Sequence, residues 1–235
     1  MSSGRLLLEL SQAQSSNAPP VGPVPPITLR VATSELVVIE TPDAAMATWF
    51  ADLCSGIFSL ADGRVSFLEH DWATVQHDYA AAMRGRIGRV FGVGGWIGFW
   101  NVAENILLPQ LHHTHENLDA LTHRATELAC GFGLPGLPME LPRDLSTLDL
   151  ARAASVRAFL GDPALLLLES PVPGGAPDLM EPLLGALAQS RNNGAAAIWF
   201  ARRDLAGDAP PPFLPASQRL SFGENGLLPA RRAAR

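Results

Sequence analysis

Lysine is absent from this 235-residue chain, and its 17 basic side chains other than histidine are all arginine. A compact ammonium able to reach a phosphate as a point charge is therefore missing. Cysteine is scarce. Cys54 and Cys130 lie far apart in the sequence and form no CxxC pair, which points to a reducing compartment and not to a disulfide framework. No apolar run approaches the roughly 18 residues that a membrane-spanning helix needs. The opening MSSGRLLLEL lacks the long apolar core and small-residue cleavage site of a signal peptide. With a net charge of −6 and no basic stripe, nucleic acid is not expected as the main partner. What remains, 47% apolar and 17% charged residues, describes one globular unit with a sizeable core.

The most informative stretch runs from residue 145 to 171, LSTLDLARAASVRAFLGDPALLLLESP. Ser146 stands just before a helix-period run with Asp149 three residues on, the arrangement of a helix N-terminus. Gly161-Asp162-Pro163 breaks that helix. Leu165 to Leu168 is then a short continuous apolar run, the pattern of a parallel strand covered on both faces. Its polar end, Glu169-Ser170-Pro171, falls where open α/β sheets place their ligands, beyond the carboxyl ends of the strands.

This block resembles the ABC-transporter ATP-binding subunit. The family's LSGGQ-type signature lies over Leu145-Ser146-Thr147-Leu148-Asp149, and its LLLLDEP strand over Leu165 to Pro171. Upstream, Ala61 to Phe67 is similar to the family's xSGRVxF segment, and NVAENILLP, Asn101 to Pro109, to its TVAENVxLP. The resemblance extends from about Leu36 to Leu228. It implies a P-loop NTPase-like α/β fold, with a mostly parallel sheet core, an N-terminal antiparallel β part and a small helical subdomain over about residues 100–158, all in one domain spanning 1–235.

The residues that the family uses for chemistry are replaced. The strand expected over 35–39 leads into the family's GxxGxGK[ST]T position, where the three glycines fall on Glu40, Asp43 and Ala45, the lysine on Met46, and the magnesium-binding hydroxyl on Ala47. Only Thr48 is kept. Glycines let several backbone N–H groups curl around one phosphate, whereas Glu40 and Asp43 bring negative charge to that place. A helix is expected only from Trp49 onward. Glu169 stands at the magnesium-binding aspartate and remains the one residual metal candidate. Ser170 stands at the catalytic glutamate and is far too weak a base to take a proton from water. Gly92 replaces the Q-loop glutamine. Arg203 replaces the switch histidine and cannot act as an uncharged relay, and Asp204 keeps the aspartate after it. Ser146 could still touch a γ-phosphate held by a partner.

Trp96, Phe99 and Trp100 lie in a glycine-punctuated segment that, in the family, frames the groove for the transmembrane subunit. They either dock there or pack into the core. His112, His113, His115 and His123 have poor spacing for zinc, and a solvated loop is the plainer reading.

These residues lead to an expectation of a catalytically inactive homologue, not an enzyme, that takes no nucleotide or metal and is cytoplasmic and peripheral on the inner face of the membrane. It would serve as a structural or regulatory component docked on a transmembrane permease, with or without a second, active ATP-binding subunit. The MCE-associated lipid-transport class is the subfamily that the 96–113 segment most resembles. The alternatives are a weak ATPase whose site, with ATP and magnesium, is completed by a partner subunit, and a soluble metal-binding module.

Overall fold

The computed structural model describes residues 4–20, 22–92, 95–114, 116–203 and 214–230. The chain begins with β1 (Leu6–Ser15), β2 (Ile27–Ala32) and β3 (Leu36–Thr41), which leads into α1 (Ala44–Cys54). Next come β4 (Leu60–Phe67), the short β5 (His70–Asp71), α2 (His77–Arg84) and β6 (Ile87–Val90). Three helices follow, α3 (Val102–His113), α4 (Leu118–Gly131) and α5 (Thr147–Phe159). The remainder is β7 (Leu165–Glu169), α6 (Pro177–Asn192), β8 (Ala196–Arg202), β9 (Gln218–Gly223) and β10 (Gly226–Pro229).

The strands form two sheets, an antiparallel one in the order β2-β1-β4-β5 and a six-stranded one in the order β10-β9-β3-β8-β7-β6. Within the larger sheet β3, β6, β7, β8 and β9 run parallel, and β10 closes the edge as an antiparallel hairpin with β9. Side-chain alternation divides each central strand between two cores. Leu166 and Leu168 of β7 and Trp199 of β8 pack on the side of α3 to α6, while Leu165, Leu167, Ile198 and Phe200 pack on the side of α1 and the antiparallel sheet. A strand apolar at every position is the expected signature of a sheet covered on both faces.

The helix starts follow from local chemistry. Asn101 accepts the Glu104 N–H at 2.7 Å while the Glu104 carboxylate accepts the Asn101 N–H at 2.8 Å, so NVAE closes a reciprocal capping box at α3. At α5, Ser146 accepts the Asp149 N–H at 3.1 Å. Its hydroxyl donates to the Asp149 carboxylate, which, with Arg152 alongside, holds that carboxyl below the usual aspartate range.

Several boundaries differ from expectation. The Gln, Ser, Asn, Gly and Pro content of Ser11 to Pro26 suggests a loop, yet β1 continues through Ser15, because Ala13 and Gln14 still find partners in β2 and β4. Helix α1 begins at Ala44, not near Trp49, because the Asp43 carboxylate caps it by accepting the Met46 N–H at 2.9 Å. Of residues 71–84, read from the sequence as helical at least in part, α2 takes His77 to Arg84. The closing hairpin, for which the Asn225-Gly226 pair in the sequence suggests the turn, turns one residue earlier, at Glu224-Asn225. His115, Asp204 and the last five residues lie outside the described residues.

Phe50 of α1 is fully buried against Phe200 and Phe222, at ring separations of 5.7 and 5.4 Å. Phe50→Ala is expected to cost about 3–5 kcal/mol in urea unfolding. Phe99→Ala, at a side chain that is 80% exposed, should stay within about 0.5 kcal/mol.

Candidate functional site

Parity along β7 determines where Glu169 points. It shares a face with Leu165 and Leu167, so it lies beneath α1, and it is 1% exposed. Position 89 of the neighbouring β6 is in register with Leu167 and presents Arg89 on that same face. Above them, Thr48 and Asp52 are four residues apart on α1 and therefore project together.

The four side chains form one network. Arg89 Nε donates to Glu169 Oε1 at 2.6 Å, Nη1 donates to Asp52 Oδ1 at 2.5 Å, and Nη2 reaches the Thr48 carbonyl at 3.3 Å. The Thr48 hydroxyl donates to Glu169 Oε2 at 2.6 Å, and the Gly92 N–H points at the same oxygen from 3.5 Å. Both oxygens of Glu169 are thus engaged within the chain. The Arg89 guanidinium lies over the Phe91 ring, 4.4 Å from its centroid, which screens its outer face.

The other expected site residues divide into separate places. Glu40 and Arg203 share a cavity of about 620 Å³ with Ser221 and Glu224, where Arg203 Nη2 donates to the Phe222 carbonyl at 2.9 Å. Asp43 serves as the α1 cap, Ala45 is exposed on the first turn, and Met46 and Ala47 point into the core. Ser170 adopts a left-handed backbone (φ +44°) just after β7, and its N–H donates to the Phe200 carbonyl. Ser146 is exposed at the start of α5.

Around residues 95–101 the buried Asn105 is the organising group. Its Oδ1 accepts the Ile97 N–H at 2.7 Å, and its Nδ2 serves the carbonyls of Ile97, Trp100 and Asn101. Trp96 packs on the helical core, Trp100 is half-buried, and Phe99 projects into solvent with its ring edge-on to Trp100.

Arg89, Asp52 and Asn105 were not singled out from the sequence. For Arg89 a signal was present: a charge inside the apolar strand IGRV must find a buried partner. As for the histidines, His112 and His113 contact each other, His123 faces Glu127, and no group of three metal-capable side chains converges among the described residues.

No family model matches the chain. Its sequence is 30% identical over 151 residues to the lipoprotein-releasing system ATP-binding protein LolD 2 of Chlorobium chlorochromatii, covering 62% of either chain. With LolD of Granulibacter bethesdensis it shares 29% over 182 residues, 76% of this chain and 79% of that protein. By these matches the chain is similar to the ABC-transporter ATP-binding subunits. A dimeric ATP-binding cassette in a post-hydrolysis state, bound to ADP and Pi, superposes over 96% of this chain and 99% of its own at a TM-score of 0.73 and 15% identity, which bears out the expected fold.

Two expectations are corrected by this kinship. The homologue was expected to be no enzyme and to take no nucleotide or magnesium. Its relatives are named ATP-binding proteins, and a cassette of the same fold carries ADP and Pi, so the comparisons run against both expectations.

The residues present do not, however, form the usual cradle in this conformation. No residue from Glu40 to Ala47 has the positive φ that curls backbone N–H groups around a phosphate, and the Asp43 carboxylate already caps the α1 N-terminus. Glu169, the magnesium candidate, has both oxygens held by Arg89 and Thr48. No catalytic step through a nucleotide is therefore derived from this chain's own residues.

The network itself is open to measurement. Arg89→Met leaves the Glu169 carboxylate buried without its counter-charge, and the expected cost is about 3–5 kcal/mol. Arg89→Met combined with Glu169→Gln should be more stable than Arg89→Met alone, as read from urea midpoints. Simple addition of the two single costs would show that the pair is not coupled.

Proposed function

We propose that this homologue is the ATP-binding-type subunit of an ABC transporter complex. As a single cassette-like unit it sits at the cytoplasmic face of a membrane, docks on a transmembrane permease and pairs with a second ATP-binding subunit. ATP use is a property of that assembly. The lysine and the catalytic carboxylate missing at Met46 and Ser170 come from the partner subunit, and this chain supplies the α5 N-terminus with Ser146 and the docking surface.

One observation carries the docking part. Asn105 directs both ends of its side-chain amide at the 97–101 turn, and the group this turn presents is Phe99, an aromatic ring 80% exposed to water. A rigid aromatic anchor held ready in solvent is the feature that interfaces bury at their centre. Transport is supported by the kinship with subunits named for lipoprotein release. A lipid-bearing or amphiphilic cargo is the reading closest to that support. The MCE-associated lipid-transport class is its narrowest form.

The test is native co-purification. A tagged chain expressed in its own cells is extracted from membranes in mild detergent, and the proteins that remain bound are identified by mass spectrometry. Recovery of a permease together with a subunit that keeps its P-loop lysine is expected, and Phe99→Ser should reduce that recovery about tenfold without moving the melting temperature. Recovery of the chain alone as a soluble monomer would contradict the proposal.

A further inference from the structure

Two carboxylates meet one guanidinium beneath α1. Glu169 is 1% exposed, while the side chains of Arg89 and Asp52 keep 11% and 23% of their surface open to solvent. Among the described residues no other positively charged side chain pairs with either acid, so the trio retains an uncompensated negative charge. The atoms that receive Arg89 are all oxygens: Glu169 Oε1, Asp52 Oδ1 and the Thr48 carbonyl, with the Thr48 hydroxyl beside them on Glu169 Oε2. Convergent hard oxygens with negative charge to spare are the donor chemistry that suits magnesium or manganese. The guanidinium already supplies the positive charge there, so the set as it stands does not fit a metal ion.

Arg89 also borders a groove of about 210 Å³, where β6, α2, α3 and α5 meet and where Arg84, His113 and Arg157 are among the lining residues. The Phe91 ring lies against two guanidinium groups, Arg89 at 4.4 Å and Arg157 at 5.4 Å from its centroid, and Trp96 flanks Arg157. A side chain leaving Glu169 has this groove to turn into, but it meets like charges on the way. Attraction behind Arg89 and repulsion in front of it act in the same direction and hold it on the carboxylates.

We propose that Arg89 is an autoinhibitory counter-ion, which competes with a divalent cation for Glu169 and Asp52. A cation gains those oxygens only when the guanidinium turns out toward the groove, and Arg84 and Arg157 oppose that turn. The resting arrangement is consequently the closed one. The inference concerns this chain's own network and does not depend on the permease-docking reading.

The probe is Mn2+ alone, titrated into the full chain and followed by the electron paramagnetic resonance signal of the free ion. Arg89→Met is expected to bind Mn2+ at least tenfold more tightly than the unaltered chain. Mn2+ should also raise the urea midpoint of Arg89→Met, because an ion that binds the folded form alone stabilises it. Adding Glu169→Gln should abolish both gains, and sodium at matched ionic strength should reproduce neither. If Arg89→Met does not fold, Arg89→Lys takes its place: a compact ammonium cannot fork between two carboxylates, and Mn2+ affinity at least threefold above that of the unaltered chain is expected. Affinity equal to the unaltered chain's, or a gain that survives Glu169→Gln, overturns the inference.

Discussion

The buried ion pair between Arg89 and Glu169 ties together the parts of the molecule that matter most. Two charges taken out of water are favourable only when their geometry is close and their remaining valences are filled. Here Glu169 has one oxygen on Arg89 and the other on Thr48, and the second arm of Arg89 is taken by Asp52. These four groups come from β6, β7 and α1, so satisfying them fixes how far α1 stands from the sheet and how it is rotated. The capped N-terminus of α1, and with it the turn from β3, follows from that placement.

Much of the fold could be read in the chain because local chemistry and long-range packing agree there. Leu165 to Leu168 is apolar at every position and is buried on both faces. NVAE makes the capping box its letters suggest, and Ser146 caps α5 as its spacing to Asp149 requires. Where reading failed, a residue had two local meanings. Asp43 was taken as one position of an extended loop, but its side chain can also end that loop by capping a helix, and the cap prevails. Ser11 to Ser15 looks like a loop by composition, yet neighbours on both sides complete a strand.

The site was only partly legible, for a different reason. Motif positions drew attention to Glu169, Ser170 and Thr48, while the group that decides the state of Glu169 is Arg89, 80 positions away in sequence and outside every motif. Parallel register brings them together, and register is not written in either strand alone. Arg157 was equally hidden. Its place between Phe91 and Trp96 depends on α5 crossing behind β6, which composition does not reveal.

The kinship with ATP-binding subunits and the closed arrangement around Glu169 are reconciled at the level of the assembly. The proposed place beside a permease and a second ATP-binding subunit would use the exposed Phe99, which the turn held by Asn105 presents to solvent. The most direct measurement is therefore magnesium-dependent ATP turnover by the detergent-solubilised complex, compared with the same complex reconstituted without this chain. The account predicts that turnover falls at least tenfold when the chain is left out and returns when it is added back. An unchanged rate without it would contradict the account.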